Sequence, residues 1–410
     1  MKLRKVLAIV LVVAVLASVG IALTACNDDE NTLYFGPEDA DILFGLICLH
    51  DENSTYDKNF IDAAEAMANK MGVRVIVKTG IPEDATCYDV AVDLADQGCD
   101  IVFADSFGHE THIMRAAEEF PEVKFGHATG TYAHTSDLNN FYNAFASIYE
   151  GRYLAGIVAG YEIKSMIDNG EITASQAKIG YVGAFPYAEV VSGFTSFYLG
   201  AKSVVPEVTM EVRYTNSWYD PEAEENTAKA LINNNCILIS QHADSYGAPD
   251  ACEEAGVPNV TYNISTKSTH ANTYLVGSKI NWEPYYEVMV NAVRNNTEIP
   301  KDWTGTLNTD SVQILEYGNS VSEEAKTAVN TALEKMKNGT LKVFDLSTFN
   351  CDDLILDGNN ADVDTDAAYT PDHNVIKTEN GITYFSESDT EFRSAPYFTY
   401  IIDGITSITE

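Results

Sequence analysis

The chain is 410 residues long, 45% hydrophobic, with 61 acidic against 25 basic residues and a formal net charge of −36. That length accommodates two ordinary domains with full cores. The acidity argues against nucleic acid as a partner, because phosphate backbones need Lys and Arg to displace their counterions.

At the N-terminus Lys2, Arg4 and Lys5 precede an apolar run from Val6 to Leu23, long enough on length alone for a membrane span. The run ends in Leu23-Thr24-Ala25-Cys26, followed by Asn27-Asp28-Asp29-Glu30. Leu, a small polar residue, Ala and Cys resemble the lipobox of bacterial lipoproteins, which implies diacylglycerol on the Cys26 sulfur and cleavage before it. The competing reading is a signal anchor, or an ordinary signal peptide with an incidental Cys. On the lipobox reading residues 1–25 are a signal peptide, set aside from fold reasoning, and residues 26–40 are a lipidated acidic tether. The six further cysteines, Cys48, Cys87, Cys99, Cys236, Cys252 and Cys351, form neither CxxC nor zinc-like spacings. Cys48, Cys99 and Cys236 lie in or beside apolar strand patterns and read as small buried hydrophobes.

From Asp41 onward strand and helix patterns alternate. Strands are expected at 42–49, 73–78, 100–104 and 123–127, with helices at 58–71, 88–97 and 110–119. A longer helix is expected from Phe145 to Ile163, carrying the small-residue face Ala155-Gly156-Ile157-Val158-Ala159-Gly160. The alternation restarts with strands at 178–182, 209–214, 236–241 and 260–263 and helices at 190–205, 221–233 and 249–255. Two such runs predict two α/β lobes, each a parallel sheet flanked by helices. A late strand–helix pair, Tyr274–Ile280 and Glu283–Arg294, suggests that the chain crosses back between lobes. A late helix at 323–337 then precedes an expected strand, Leu341–Leu346. The expected division is lobe 1 at 41–165 plus about 265–300, and lobe 2 at 166–264 plus about 301–347. Residues 348–410 would form an extension packed on lobe 2, with hairpin-like segments at 375–377, 381–385 and 397–402.

Enzyme signatures are thin. There is no Gly-rich dinucleotide or phosphate loop and no nucleophile elbow. Gly108-His109-Glu110-Thr111-His112 has the wrong His–His spacing for a zinc helix, and the acidic loop 352–366 lacks EF-hand spacing. Neither a metal nor a cofactor is expected.

Binding signatures are stronger. The first strand leads into the long polar loop 50–59, where a structural connection needs only a few residues. Other strand ends finish in Asp105-Ser106-Phe107-Gly108, in Thr215 to Pro221 around Trp218, in His242-Ala243-Asp244-Ser245-Tyr246, in Tyr262-Asn263-Ile264-Ser265, and in Asn281-Trp282. Aromatics offer flat apolar faces and Asn, Asp and Ser directional hydrogen bonds, a pairing that suits a planar heterocycle or a sugar. In open parallel sheets such loops at the carboxyl ends of strands form the ligand crevice. Residue chemistry alone gives Trp218 a stacking role and makes Asp244 and Asn263 hydrogen-bonding partners. Ser106, Phe107, His242 and Trp282 complete that wall.

Phe103 to Gly108, Glu150 to Gly160, Ile179 to Pro186, Thr215 to Pro221 and Asn281-Trp282-Glu283-Pro284-Tyr285-Tyr286 together resemble the basic membrane protein family, lipid-anchored substrate-binding proteins of ABC importers. The resemblance runs from about Ile42 to Phe344. It implies the type I periplasmic-binding-protein fold, two lobes joined by hinge crossovers and closing on a small molecule, with permease and ATPase subunits as partners. The best-understood branch comprises purine nucleoside receptors. By that resemblance Asp57 and Asn59-Phe60 match its first-loop motif, with Phe60 stacking on a base and Asn59 hydrogen-bonding it. The chain departs from that branch at His127-Ala128-Thr129, at His242 to Tyr246 and at Lys279. The ligand therefore stays open among a purine nucleoside, a nucleobase and a similar small heterocycle. A ligand sensor for a signalling partner and a surface nucleoside hydrolase are the alternatives.

Overall fold

A computed structural model describes residues 31–354, 374–387 and 393–409; the apolar leader and Cys26 lie outside the described residues. In chain order the strands are β1 (Thr32–Phe35), β2 (Leu43–Ile47), β3 (Arg74–Lys78), β4 (Ile101–Ala104), β5 (Lys124–Ala128) and β6 (Phe141–Ala146). Then come β7 (Lys178–Gly183), β8 (Thr209–Tyr214), β9 (Leu238–His242), β10 (Asn259–Tyr262) and β11 (Tyr274–Ile280). The last are β12 (Asp302–Gly305), β13 (Val312–Ile314), β14 (Ile376–Glu379), β15 (Ile382–Phe385) and β16 (Ile405–Ile408). The first sheet has the order β1-β3-β2-β4-β5-β6-β12 and the second β13-β11-β10-β9-β7-β8-β16. Pairing is parallel throughout both, apart from the edge pairs β1–β3 and β11–β13. Helices pack against the sheets, so the chain is the two-lobed α/β fold that the alternation predicts.

The helix Thr55–Met71 shows how local sequence places the ligand wall. Ser54 caps it, its hydroxyl accepting the Asp57 amide, and Gly72 closes it at φ 66° with its amide on Ala68 O. Asp57 sits in the first turn, where a negative charge favours the helix dipole. Phe60, Ile61, Ala64, Met67 and Ala68 form its buried stripe. That stripe faces the core of β2 and β3, while the first turn projects beyond the carboxyl end of β2.

Among the described residues the chain crosses between the two sheets after β6, after β11 and after β12. Backbone bonds tie these crossings together, Ser147 N to Gly305 O at 2.7 Å and Asn281 N to Ser311 O at 2.8 Å. The crossings correct the expected lobe boundaries. Helix Ile148–Asp168 lies against helix Ala188–Lys202 and β11, so it belongs to the second lobe rather than the first. A Cβ on Gly156 would meet Phe197 O at 2.1 Å, and one on Gly200 would meet Tyr153 O at 2.1 Å, so the small-residue face lets two backbones touch. β11 pairs with β10 in the second sheet, and β12 pairs with β6 in the first. β12, four residues long and paired with the distant β6, carries too little local pattern to reveal which sheet it joins.

Four further expectations change. Thr32–Phe35, expected as tether, is an antiparallel edge strand on β3. Leu341–Leu346 is a turn, not a strand. The segment 397–402 is irregular; besides the hairpin of β14 and β15, the tail adds β16, parallel to β8. The tail also reaches lobe 1: Ser394 N and Oγ each donate to Asp302 Oδ1 at 2.9 Å, at the start of β12. The described tail therefore spans both lobes rather than packing on lobe 2 alone.

Candidate functional site

Between the lobes lies a cleft lined by Leu49, His50, Tyr56, Asp57, Ser106, Phe107 and Thr129 from lobe 1 and by Glu189, Trp218, His242 and Asp244 from lobe 2. Its walls bound about 390 Å³, part of it open to solvent. Every lining residue follows the carboxyl end of a parallel strand or opens the helix beyond it, where the sheet architecture places crevices. The lobes touch here: Thr55 N donates to Asp244 O at 2.8 Å. His50 lies 5.3 Å from Tyr219, and Phe107 lies 5.9 Å from Tyr187, centroid to centroid. Phe107 and Tyr187 remain half-exposed, so an aromatic pair guards the mouth. On the lobe 2 side, Phe185 packs on both Tyr187 and Trp218 at 5.1 Å.

Thr129 holds φ 64° in the cleft wall. That conformation is unfavourable for a β-branched residue, and such strain collects at functional sites. Gly193 has a different role: a Cβ there would meet His242 Nδ1 at 2.4 Å, so the glycine makes room for the imidazole.

The electrostatics are dominated by carboxyl groups. Asp57 is buried, yet His50 and the Ser54 hydroxyl overcome the cost of burial and hold its carboxyl below the usual range. Its oxygens accept the His50 amide at 2.8 Å and the Ser54 hydroxyl at 2.5 Å. Asp105 is pushed strongly upward by burial and by the neighbouring Asp57 charge. The two carboxyls and the Cys48 thiol have ligand-type atoms within 4.8 Å of one another, all buried. Two buried carboxyls this close oppose each other's ionisation, which adds to the upward shift of Asp105. Asp244 is raised by burial, with Glu224, Asp57 and Glu189 adding to the shift. His242 is lowered by burial, which keeps it neutral, and its Nε2 lies 3.3 Å from Glu189 Oε1.

Of the residues expected from sequence, the structure gathers Asp57, Ser106, Phe107, Trp218, His242 and Asp244 at the cleft. It does not place the other four on its lining. Phe60 and Trp282 are stacked on each other, centroids 4.4 Å apart, and both are buried with Phe103 in the lobe 1 core. The Phe60 ring belongs to the helix's apolar stripe and so points inward. Asn59 is buried with Nδ2 unpartnered. Asn263 is buried at φ 65°, its amide bonded to Ser278 O at 2.8 Å. Five lining residues were not anticipated individually: Leu49, His50, Tyr56, Thr129 and Glu189. His50 and Tyr56 lie in the polar loop that its length had singled out, and that loop was the available signal.

The profile of the family "ABC transporter substrate-binding protein PnrA-like" matches residues 49–347. This chain belongs to that family. A purine-binding protein of Brucella abortus is 31% identical over 313 residues, covering 76% of this chain and 81% of that protein. A putative ABC transporter glucose-binding protein of Haloferax volcanii is 32% identical over 250 residues, covering 61% of this chain and 60% of that protein. Among solved structures, an ABC transporter solute-binding protein from Aeropyrum pernix superposes with a TM-score of 0.63 at 15% identity, covering 74% of this chain and 93% of that one. One from Conexibacter woesei gives 0.60 at 20% identity, covering 73% and 98%. The fold is thus that of periplasmic-type solute-binding proteins, and the chain is an ABC transporter substrate-binding protein.

Proposed function

We propose that this substrate-binding protein captures a purine nucleoside, a nucleobase or a similar small heterocycle outside the cytoplasm and hands it to permease and ATPase subunits of an importer. One observation carries the reading: a single cleft receives aromatic faces and hydrogen-bonding side chains from both lobes, including Tyr56, Phe107 and Trp218 with Asp244 and His242. Contact with both lobes is what turns binding into closure, because a ligand shifts a hinge equilibrium by its differential affinity for the closed state. Closure desolvates the ring and pairs its edges. An analogue that leaves one buried partner unpaired should lose roughly 1–3 kcal/mol. ATP hydrolysis belongs to the partner subunits, and this chain contributes selection and presentation.

The Brucella relative is a purine-binding protein, which supports a purine-type solute here. Anchoring through Cys26 is part of the same proposal; among the described residues no helix is long and apolar enough to cross a membrane. The test is calorimetric titration with adenosine, guanosine, inosine, their free bases and glucose. Heat from the purine compounds and none from glucose supports the reading. Glucose binding in place of purines overturns it.

A further inference from the structure

The cleft lining contains three carboxylates, Asp57, Glu189 and Asp244, and neither lysine nor arginine. A carboxyl group removed from water must find a donor or a cation, or else keep its proton until a cation reaches it. Asp57 has the Ser54 hydroxyl and His50, and Glu189 has His242. Asp244 has neither. Only 5% of it is exposed, its backbone amide is bonded to Trp218 O, and its backbone carbonyl accepts Thr55 N; no donor reaches its carboxylate among the described residues. Glu224 stands behind it, accepting the Ser245 amide at 3.2 Å, and adds to the negative field. The buried cation Arg152 is held by Ser240 Oγ at 2.6 Å and Thr261 O at 3.0 Å; its charge acts on His242 but is not among the influences on Asp244. Tyr56, Phe107 and Trp218 line the same cleft as these carboxyl groups. Aromatic faces attract cations, and a low-dielectric cleft focuses the field of its carboxylates.

We propose that the cleft selects a ligand carrying positive charge at neutral pH, a planar heterocycle with a quaternary or protonated nitrogen, whose charge is met by Asp244 and the surrounding rings. This inference rests on the cleft being the ligand site and adds the ligand's charge. It also places phosphorylated ligands at a disadvantage, since the lining offers a phosphate neither lysine nor arginine and three acids.

The experiment is calorimetric titration of the full chain in detergent with matched pairs of aromatic probes. 1-Methyladenosine is a cation at neutral pH, and N6-methyladenosine is its neutral isomer. The cation should bind about tenfold or more tightly than the isomer. That ratio should fall towards one in Asp244→Asn, with the ligand-free unfolding midpoint of the variant recorded alongside. AMP should bind more weakly than adenosine. Equal or tighter binding of the neutral isomer, or of AMP, overturns the inference. If no nucleoside of either charge binds, the nucleoside reading fails, and 1-methylnicotinamide against neutral nicotinamide decides the charge claim. Preference for the methylated cation there supports it. Equal binding, or no binding by any of these cations, overturns it.

Discussion

Replacing Phe60 with alanine separates core from cleft more sharply than any other single change. The ring is fully buried, stacked at 4.4 Å on Trp282 and 4.8 Å from Tyr56, with Phe103 at 6.2 Å. Three aromatic neighbours held in one packed cluster cannot collapse into the space a benzyl group leaves. The expected loss is therefore in the range for buried Phe→Ala changes, about 3–5 kcal/mol. For a lobe of this size that corresponds to a fall of order ten degrees in the unfolding midpoint. Phe60→Leu should recover most of the loss, because it refills much of the volume with another apolar side chain. Urea unfolding of the ligand-free chain measures this, and calorimetry of the surviving folded fraction measures binding. If Phe60→Ala leaves ligand-free stability within about 1 kcal/mol and abolishes binding, the ring is a ligand contact and the core assignment is wrong.

The other predictions concern the cleft, the helix contact and one buried acid. Trp218→Ala, at a half-buried ring of the cleft wall, should weaken ligand binding by about 1–3 kcal/mol, roughly 5- to 150-fold. It should barely move the ligand-free midpoint, which a thermal melt checks. Gly200→Ala brings a Cβ to 2.1 Å from Tyr153 O, so urea unfolding should show a loss of about 1–3 kcal/mol from overpacking. Burial pushes the Glu150 carboxyl up to about 7 from 4.5, and its Oε2 accepts Leu307 N at 2.9 Å beside the hinge. Its folded pKa is raised, so the folded state holds the extra proton and stability falls as pH rises through the window between those two values. Glu150→Gln keeps an acceptor for Leu307 and removes the titration, which should flatten that decline by up to about 3 kcal/mol in unfolding experiments run across the window. An unchanged slope would mean that Glu150 does not titrate there.

The parallel cores of both lobes were legible because β2, β4, β7 and β9 are short apolar runs between helical stripes, a pattern that local chemistry writes directly into sequence. β6 was missed: the expected helix began at Phe145 and took its last two residues, since Phe141 to Ala146 has no turn signal before Ser147. β12 and β13 are four and three residues long and gain their partners only through tertiary pairing. At the site, strand-end loops rich in Asp, Ser, His and Trp were readable by residue type. Phe60 and Trp282 were not, because an aromatic beside a cleft and one beneath it look alike until helix phase is known. Glu189 was hidden in a first helical turn, where an acid is ordinary. The left-handed Thr129 is visible only in the folded backbone.

The most direct test of the central claim is a crystal structure of the chain with the tightest-binding purine compound from the titrations. A planar ring is expected between the lobes, against Tyr56 and Trp218 with a donor edge on the Asp244 carboxylate. A ring bound outside that cleft, or held by one lobe alone, would contradict it.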